Sequence, residues 1–261
     1  MFSQKPRVQY HHHQLAEVIC QLRFPQILRI NQEEPAAFQE AIRDVFPSYK
    51  VLREVAPPKI VGAPGNFSLQ QQTEGKNYEF SDAAGIWRVN LTREFISLST
   101  RSYIGWEDFA MRLDKPLAAF ISIYRPAHFD RVGLRYVNFI SRKNLDLEGV
   151  PFRELITMPY LGILSDEEVS EDIASRSGVD LEIGVRGGCR AKVHAGPGRV
   201  RLGGKQDPET KFVLDLDLYM PGQLPVNLCA GALQTLHSQA DSIFRDAITS
   251  RLHEAMEPKN L

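Results

Sequence analysis

The feature of this sequence that most constrains its fold is a succession of patterns that occurs twice. Residues 15–24, "LAEVICQLRF", alternate apolar and polar side chains with the period of two that is typical of a half-buried strand. Residues 130–140, "DRVGLRYVNFI", open the second half with another strand. In each half, helical and short strand patterns follow and a long amphipathic helix comes last. The sequence therefore predicts an α+β fold with two β-α-β-β-β-β-α units, in which antiparallel sheets pack against long helices.

Short identities support an internal duplication. The leading strands share LRF at 22–24 and LRY at 134–136, and the following helices share FQEAI at 38–42 and FRELI at 152–156. We therefore expect an N-terminal extension at 1–13, a first repeat at 14–126 and a second at 127–261, which together form one pseudo-symmetric domain. Matches this short also arise by chance from amphipathic patterning, so chance similarity stays open as the alternative to a duplication.

The remaining element predictions follow from periodicity and from Gly and Pro positions. Pro116 lies inside the long helix of the first half, where we expect a kink. The predicted helices cover 35–46, 106–124, 151–157, 166–174 and 228–256, and the predicted strands cover 67–72, 78–81, 87–91, 95–100, 180–186, 191–195, 199–202 and 211–220.

The composition excludes several classes of protein. With 43% hydrophobic residues the chain can bury a large core, and 31 basic residues against 32 acidic ones create no global attraction to nucleic acid or anionic lipid. The three cysteines are odd in number and lack CxxC spacing, which favours a reducing compartment. Since the sequence also lacks a signal-peptide pattern and an apolar run long enough to span a membrane, we expect a cytoplasmic protein without membrane contact. We further expect a monomer or a homodimer.

Residues 184–205, "GVRGGCRAKVHAGPGRVRLGGK", combine seven glycines and six basic residues without a carboxylate. The stretch does not fit a phosphate-binding P-loop, because Gly204-Lys205 is followed by Gln206 and no helical pattern comes after it. It predicts instead a hairpin of strands 191–195 and 199–202 that turns through 196–198.

The basic side chains of this stretch are candidates for binding an anion or a nucleic acid. They are Arg186, Arg190, Lys192, Arg199, Arg201 and Lys205. The alternative is a solvated face that neighbouring carboxylates at 166–182 neutralise. The absence of an aromatic residue that could stack on a base favours this alternative.

Two further pairs of charged residues are candidate site residues. Asp215 and Asp217 share one face of a strand, where paired carboxylates could hold Mg²⁺ or Mn²⁺; the alternative is a polar strand face paired with basic neighbours. Arg23 and Arg135 occupy equivalent positions of the two leading strands and could face a common groove that binds an anion; the alternative is that each pairs with a nearby acid or caps a helix.

The aromatic residues and the histidine of the terminal helix have less specific interpretations. His237 has Asp241 one turn further along its helix, an arrangement suited to acid–base chemistry, but no nucleophile motif accompanies it and a structural role is the alternative. We interpret Tyr103, Trp106 and Tyr136 as residues of the core or its edge rather than as a ligand site.

The sequence also bears two resemblances to known proteins. The order of elements resembles the saddle-shaped fold of TATA-binding proteins, which also occurs without a nucleic-acid role. Between about Gln14 and Met256 the chain resembles a sporadically distributed prokaryotic family of hypothetical proteins of similar length. That resemblance implies a stand-alone intracellular protein and carries over no activity or catalytic residue. It rests on AEVICQLRF, FISLSTRSYIGWEDF, RVGLRYVNFI, PFRELI, FVLDLDLY and LQTLHSQADSIFRDAIT.

The sequence thus leaves two hypotheses of function. The first is a binding or interaction protein whose sheet face or inter-repeat groove holds a protein partner or a small anionic ligand. The second is a nucleic-acid-associated protein that uses the basic hairpin, with metal-dependent phosphoryl chemistry at Asp215 and Asp217. Neither hypothesis assigns a catalytic residue or an organic cofactor, and the first favours a protein that is not an enzyme.

Overall fold

The fold is α+β, as the sequence predicts. The computed structural model describes residues 8–54, 59–63, 66–70, 75–171, 177–202 and 205–260. The described strands are β1 Val8–Tyr10, β2 Leu15–Arg23, β3 Ser48–Glu54, β4 Lys59–Ala63, β5 Asn66–Gln70, β6 Gly75–Ser81, β7 Trp87–Leu91, β8 Phe95–Thr100, β9 Phe129–Ile140, β10 Val179–Gly184, β11 Arg190–Gly198, β12 Arg201–Leu202, β13 Lys205–Gln206, β14 Lys211–Leu224 and β15 Pro258–Asn260. The described α-helices are α1 Arg29–Gln32, α2 Ala36–Ile42, α3 Trp106–Tyr124, α4 Met158–Leu161, α5 Cys229–Ala247 and α6 Ser250–Ala255.

Nine of these strands form one antiparallel sheet in the order β10-β11-β14-β9-β2-β8-β7-β6-β3. The two leading strands, β2 and β9, are neighbours near the middle of the sheet, with Gln21 opposite Gly133. On both sides of this pair, the next strand outward is the last strand that its half contributes to this sheet, and the order then runs back along the chain. A duplicated unit would produce this order, while the duplication and the likeness to the saddle fold stay predictions.

The helices and the main core lie against one face of the sheet. The alternation in β2 buries Val18, Cys20 and Leu22 completely or almost so, while Arg23 is exposed. From the helix side, the Phe120 ring of α3 packs 4.6 Å from that of Phe24. Burial of these large apolar side chains is the main stabilising contribution, at roughly 1.5–3 kcal/mol each. No helix in the described ranges is long and apolar enough to cross a membrane.

The first half departs from the predicted meander at its outer strand. β5 pairs with β4 in a separate two-stranded sheet, and β3 takes the edge position beside β6. Two of the predicted strand residues, 71–72, lie outside the described ranges. The Tyr49 ring packs 5.3 Å from the ring of buried Phe80, which ties β3 to the core. The helix predicted at 35–46 is also shorter, because α2 ends at Ile42.

Local hydrogen bonds explain two wrong helix predictions in the second half. The predicted terminal helix is divided between α5 and α6, since Ile248 is extended and the Thr249 side chain accepts a hydrogen bond from the Leu252 amide, which starts a new helix. Residues 166–171 are not helical, because the Asp166 carboxylate accepts from the Glu168 amide at 2.9 Å and holds a turn. The rest of that predicted helix, 172–174, lies outside the described ranges.

The predicted basic hairpin is wrong. β11 continues through 196–198 without a turn and pairs with β10 on one side and β14 on the other, while β12 pairs with β13. Gly196 allows a close approach rather than a reversal: a Cβ there would lie 2.7 Å from the Ser177 carbonyl oxygen. The backbone of Gly196 is not in the left-handed region, so a turn does not require glycine here. Glycine is required because a neighbouring backbone packs closely against this position.

The close approach at Gly196 predicts a difference between two identical substitutions on one strand. Gly196→Ala should lower the free energy of unfolding by about 1–3 kcal/mol, because the new methyl group meets backbone atoms that cannot move independently. Gly198→Ala should change it by less than about 0.5 kcal/mol, since its Cβ would lie 3.5 Å from a Val213 methyl group. Urea denaturation of both variants measures the difference. Equal effects would contradict the continuous strand.

Candidate ligand-binding cavity

A cavity of about 160 Å³ lies between the first turn of α3, the middle of α5, the sheet and the N-terminal strand β1. Its position on the helix side of β9 places it between elements of the first and second halves of the chain. The lining residues are Val8, Gln9, Tyr10, His13, Gln14, Leu15, Tyr103, Ile104, Gly105, Trp106, Glu107, Tyr136, Asn138, Leu216, His237, Ala240, Asp241 and Phe244.

Flat rings from three separate elements form one wall of this cavity. The rings of Trp106 and His237 are stacked, with centroids 4.7 Å apart and an interplanar angle of 8°. The Tyr136 hydroxyl shares a 2.7 Å hydrogen bond with His237 Nδ1, and the Tyr103 ring stands at 89° to that of Tyr136. The cavity is therefore bordered by rings in two orientations, and hydrogen bonding fixes the orientation of the imidazole.

The local sequence explains how each ring reaches this wall. Trp106 is the first residue of α3 and its indole N–H donates a 2.6 Å hydrogen bond to Gln234 Oε1 on α5, which joins the two helices. Tyr136 lies on the helix side of β9 because its neighbour Arg135 points to the opposite face. His237 is 9% exposed and follows buried Leu236 on α5.

The terminal strand β1 forms the outer wall. It pairs only with β15 among the described strands, and its Tyr10 ring packs against those of Phe244 and His253 at 5.9 and 5.5 Å. The Gln9 side chain donates a 2.9 Å hydrogen bond to the Ile104 carbonyl across the cavity mouth. Burial raises the pKa of Tyr10 to about 12, so its hydroxyl is neutral at physiological pH.

The cavity lining carries carboxylates, and the buried Arg245 acts on Tyr10 from outside that lining. Glu107 and Asp241 line the cavity, and no lysine or arginine is among the described lining residues. The described lining therefore offers an anionic ligand no lysine or arginine as a partner. The electron-rich faces of the Tyr and Trp rings also favour positive charge. The lining thus suits a neutral or cationic molecule better than an anionic one.

Most of the charged residues that the sequence singled out lie instead on the opposite face of the sheet. Acidic and basic side chains alternate from strand to strand there, and one row across four strands consists of Glu182, Lys192, Asp217 and Arg135. We call this the charged face; its residues are Arg131, Arg135, Asp180, Glu182, Arg190, Lys192, His194, Asp215, Asp217 and Tyr219.

Asp215 and Asp217 on the charged face both bind arginines of β9. Arg135 Nε donates to Asp215 Oδ1 at 2.8 Å, and Arg131 Nη2 donates to both Asp217 oxygens at 2.6 and 2.8 Å. The hydrogen bond to Asp215 raises the pKa of the Arg135 guanidinium. Because guanidinium groups already hold these carboxylates, the geometry favours the polar-face alternative over a metal site.

The basic residues predicted to bind an anion or a nucleic acid do not all lie in one place. Arg190 Nε lies 3.1 Å from a Glu182 oxygen, and Lys192 Nζ lies 4.0 Å from the other. Arg186 and Arg199 are both exposed. Arg186 belongs to a 3₁₀ turn, and Arg199 follows the end of β11. The side chains of Arg201 and Lys205 lie outside the described part of the structure. These placements favour a neutralised face over a continuous basic surface.

Arg23 and Arg135 are not brought together. Arg23 is opposite Arg131, whereas Arg135 is opposite Ile19, so that the two are separated along the strands by about 13 Å. Arg135 is also engaged by Asp215, which is the pairing with an acid that the sequence left as an alternative.

The sequence patterns assigned no ligand site to the aromatic residues of the cavity. Tyr103, Trp106 and Tyr136 do pack with the core, and the same rings border the cavity. One signal in the sequence for a residue at the cavity was the position of Trp106, which directly follows Gly105 at the start of a helix. A large aromatic side chain at a helix start lies at the edge of a core. Contact with His237, far along the chain, could not be inferred from spacing.

Comparison with known proteins assigns the chain to no family. No model of a known protein family matches the chain, and no curated protein is significantly similar to it.

The charged face predicts a change in acid–base behaviour on removal of one hydroxyl. The Tyr219 hydroxyl donates a 2.6 Å hydrogen bond to Glu182 and is the main reason why the pKa of that carboxyl is below its usual range. Tyr219→Phe should raise the Glu182 pKa towards its usual value, as measured by NMR titration of the side-chain carboxyl carbon. Lys192→Gln is the matched control and should raise it less, because Lys192 acts only through its charge. A larger effect of the control would contradict this assignment.

Proposed function

We propose that this protein is a binding protein that holds a small planar ligand, neutral or positively charged, in the cavity between α3 and α5. The observation that carries the proposal is the set of rings of Trp106, His237, Tyr136 and Tyr103, which border a cavity of ring size and include one stacked pair and one perpendicular pair. The proposed ligand thus occupies the groove between the two halves rather than the sheet face.

The size of the cavity limits the ligand to one ring with small substituents. Its volume of about 160 Å³ is close to that of the roughly 150 Å³ cavity in which an engineered protein binds benzene. Polar groups at the wall, among them Asn138 and His237, would fix the orientation of a heteroatom or amino group on such a ring.

The charge of the lining argues for a neutral or cationic ligand and against the small anion that the sequence suggested. A ligand cation would lie beside the Tyr and Trp rings, and no lysine or arginine lines the cavity to repel it. The pairing within the charged face gives no support to the nucleic-acid hypothesis, because Glu182 and the two aspartates of β14 offset its basic residues. The free, buried cysteines suit the reducing, cytoplasmic location that we propose with this function.

Three probes with the same ring and different charge test the proposed ligand class. We expect saturation-transfer NMR with the full chain to show binding of benzyl alcohol and benzylamine with a Kd of about 1 mM or tighter. Benzoate should bind at least about tenfold more weakly, because no lysine or arginine lines the cavity to offset the charge of its carboxylate. If benzoate binds best, or if none of the three binds, the proposal is wrong.

A cavity-filling substitution tests the location. Ala240→Leu adds a larger apolar side chain to the cavity wall and should abolish benzylamine binding, while the chain stays folded by circular dichroism. Ala230→Leu is the matched control, because it makes the same change at an exposed position of the same helix and should leave binding unchanged. Retained binding in the Ala240→Leu variant would place the ligand elsewhere.

A further inference from the structure

Three side chains with metal-binding atoms meet where the two ends of the described chain come together. His11 and His12 directly follow β1, and Glu257 directly precedes β15. One nitrogen of each imidazole and one oxygen of the carboxylate all lie within 4.8 Å of one another. Within this group, His12 Nε2 lies 3.6 Å from Glu257 Oε2.

Backbone contacts hold this group in place before any ion is considered. The His11 amide donates to the Glu257 carbonyl and the His12 amide to the Met256 carbonyl, both at 3.1 Å. The Gln14 side chain donates to the His12 carbonyl at 3.0 Å. Glu257 adopts a φ of 53°, a left-handed conformation that is unusual for a residue other than glycine. Residues in such uncommon backbone conformations cluster at functional sites, where neighbouring contacts hold them.

We propose that His11, His12 and Glu257 bind a divalent transition-metal ion of the Zn²⁺ type. Imidazole nitrogen and carboxylate oxygen are ligands that Zn²⁺ takes at about 2.0–2.2 Å, so that two of them on one tetrahedral ion lie about 3.4 Å apart. The three side chains are exposed, and their ligand atoms already lie within 4.8 Å of one another. Water completes the coordination of the ion.

The bound ion would link the N-terminal strand to the C-terminal strand. His11 and His12 belong to the segment that continues from β1, and β1 forms the outer wall of the cavity. An ion held from both sides would therefore keep β1 and β15 paired and that wall closed. The metal site does not depend on the proposed ligand; only an effect on ligand entry rests on the proposed function.

Zn²⁺ titration of the full, tag-free chain, in competition with a chromophoric chelator, tests the site. Loss of an outer partner of a metal ligand typically weakens binding about 10–100-fold, so loss of a ligand itself should cost at least about tenfold. We expect this loss in His12→Ala and in Glu257→Gln, whose exposed positions should leave the fold intact by circular dichroism.

His13→Ala is the control that separates a built site from a simple run of histidines. His13 is the third histidine of the run but does not belong to the cluster, so its substitution should change Zn²⁺ affinity less than about twofold. If His13→Ala weakens binding as much as His12→Ala, while Glu257→Gln has no effect, the proposed site is wrong. Failure of the parent chain to bind Zn²⁺ at micromolar concentration also overturns it.

Amide hydrogen exchange tests the link between the two ends. Zn²⁺ should slow exchange of the His11 and His12 amides, which donate to residues 256–257, by at least about tenfold in the parent chain and not in Glu257→Gln. Binding of Zn²⁺ without slower exchange would show that the ion does not join the two strands. Neither result depends on benzylamine binding, so this proposal and the proposed function can fail separately.

Discussion

The antiparallel pairing of β2 with β9 is the interaction on which the rest of the structure depends. It joins the strands of the two halves into one sheet and fixes which side of each strand the helices cover. Because side chains alternate along a strand, this register sends Tyr136 towards α5 and the cavity and Arg135 towards the charged face. A slip of one residue would exchange the two and bury a guanidinium in the helix-covered core.

The two faces of the second half thus have separate physical roles. The helix side combines buried apolar residues with a small ring-lined cavity, whereas the charged face consists of ion pairs between neighbouring strands. Partly exposed pairs of this kind contribute only about 0–1 kcal/mol each to stability. Their greater effect is on specificity, because the sequence of acidic and basic strands favours one pairing partner for β14 and β11 over others.

Much of the architecture could be predicted from the sequence, where a single physical cause determines the local structure. The alternation in β2 and the apolar stripe of α3 place their elements almost to the residue. The prediction at 196–198 is wrong because glycine and proline occur both in turns and in strands that pass close to another backbone, and only the position of Ser177 distinguishes them. Thr249 likewise interrupts a continuous apolar pattern through a hydrogen bond that periodicity does not contain.

The candidate site could be predicted less well, because its residues come together only through tertiary packing. The charged residues were conspicuous in the sequence, but most of those that the structure places are offset by partners on adjacent strands. Trp106, Tyr136 and His237 have the sequence pattern of ordinary core residues, and their shared cavity depends on how α3 and α5 lie across β9. Chemistry inferred from isolated motifs therefore drew attention to the charged face, whereas the cavity lies on the helix side of the sheet.

The most direct test of the proposed cavity site is to locate benzylamine on the protein by intermolecular NOEs in the full chain. A ligand in the cavity predicts NOEs from the ring protons to the side chains of Trp106, Tyr136 and Ala240. NOEs confined to the charged face, for example to Tyr219, would contradict it.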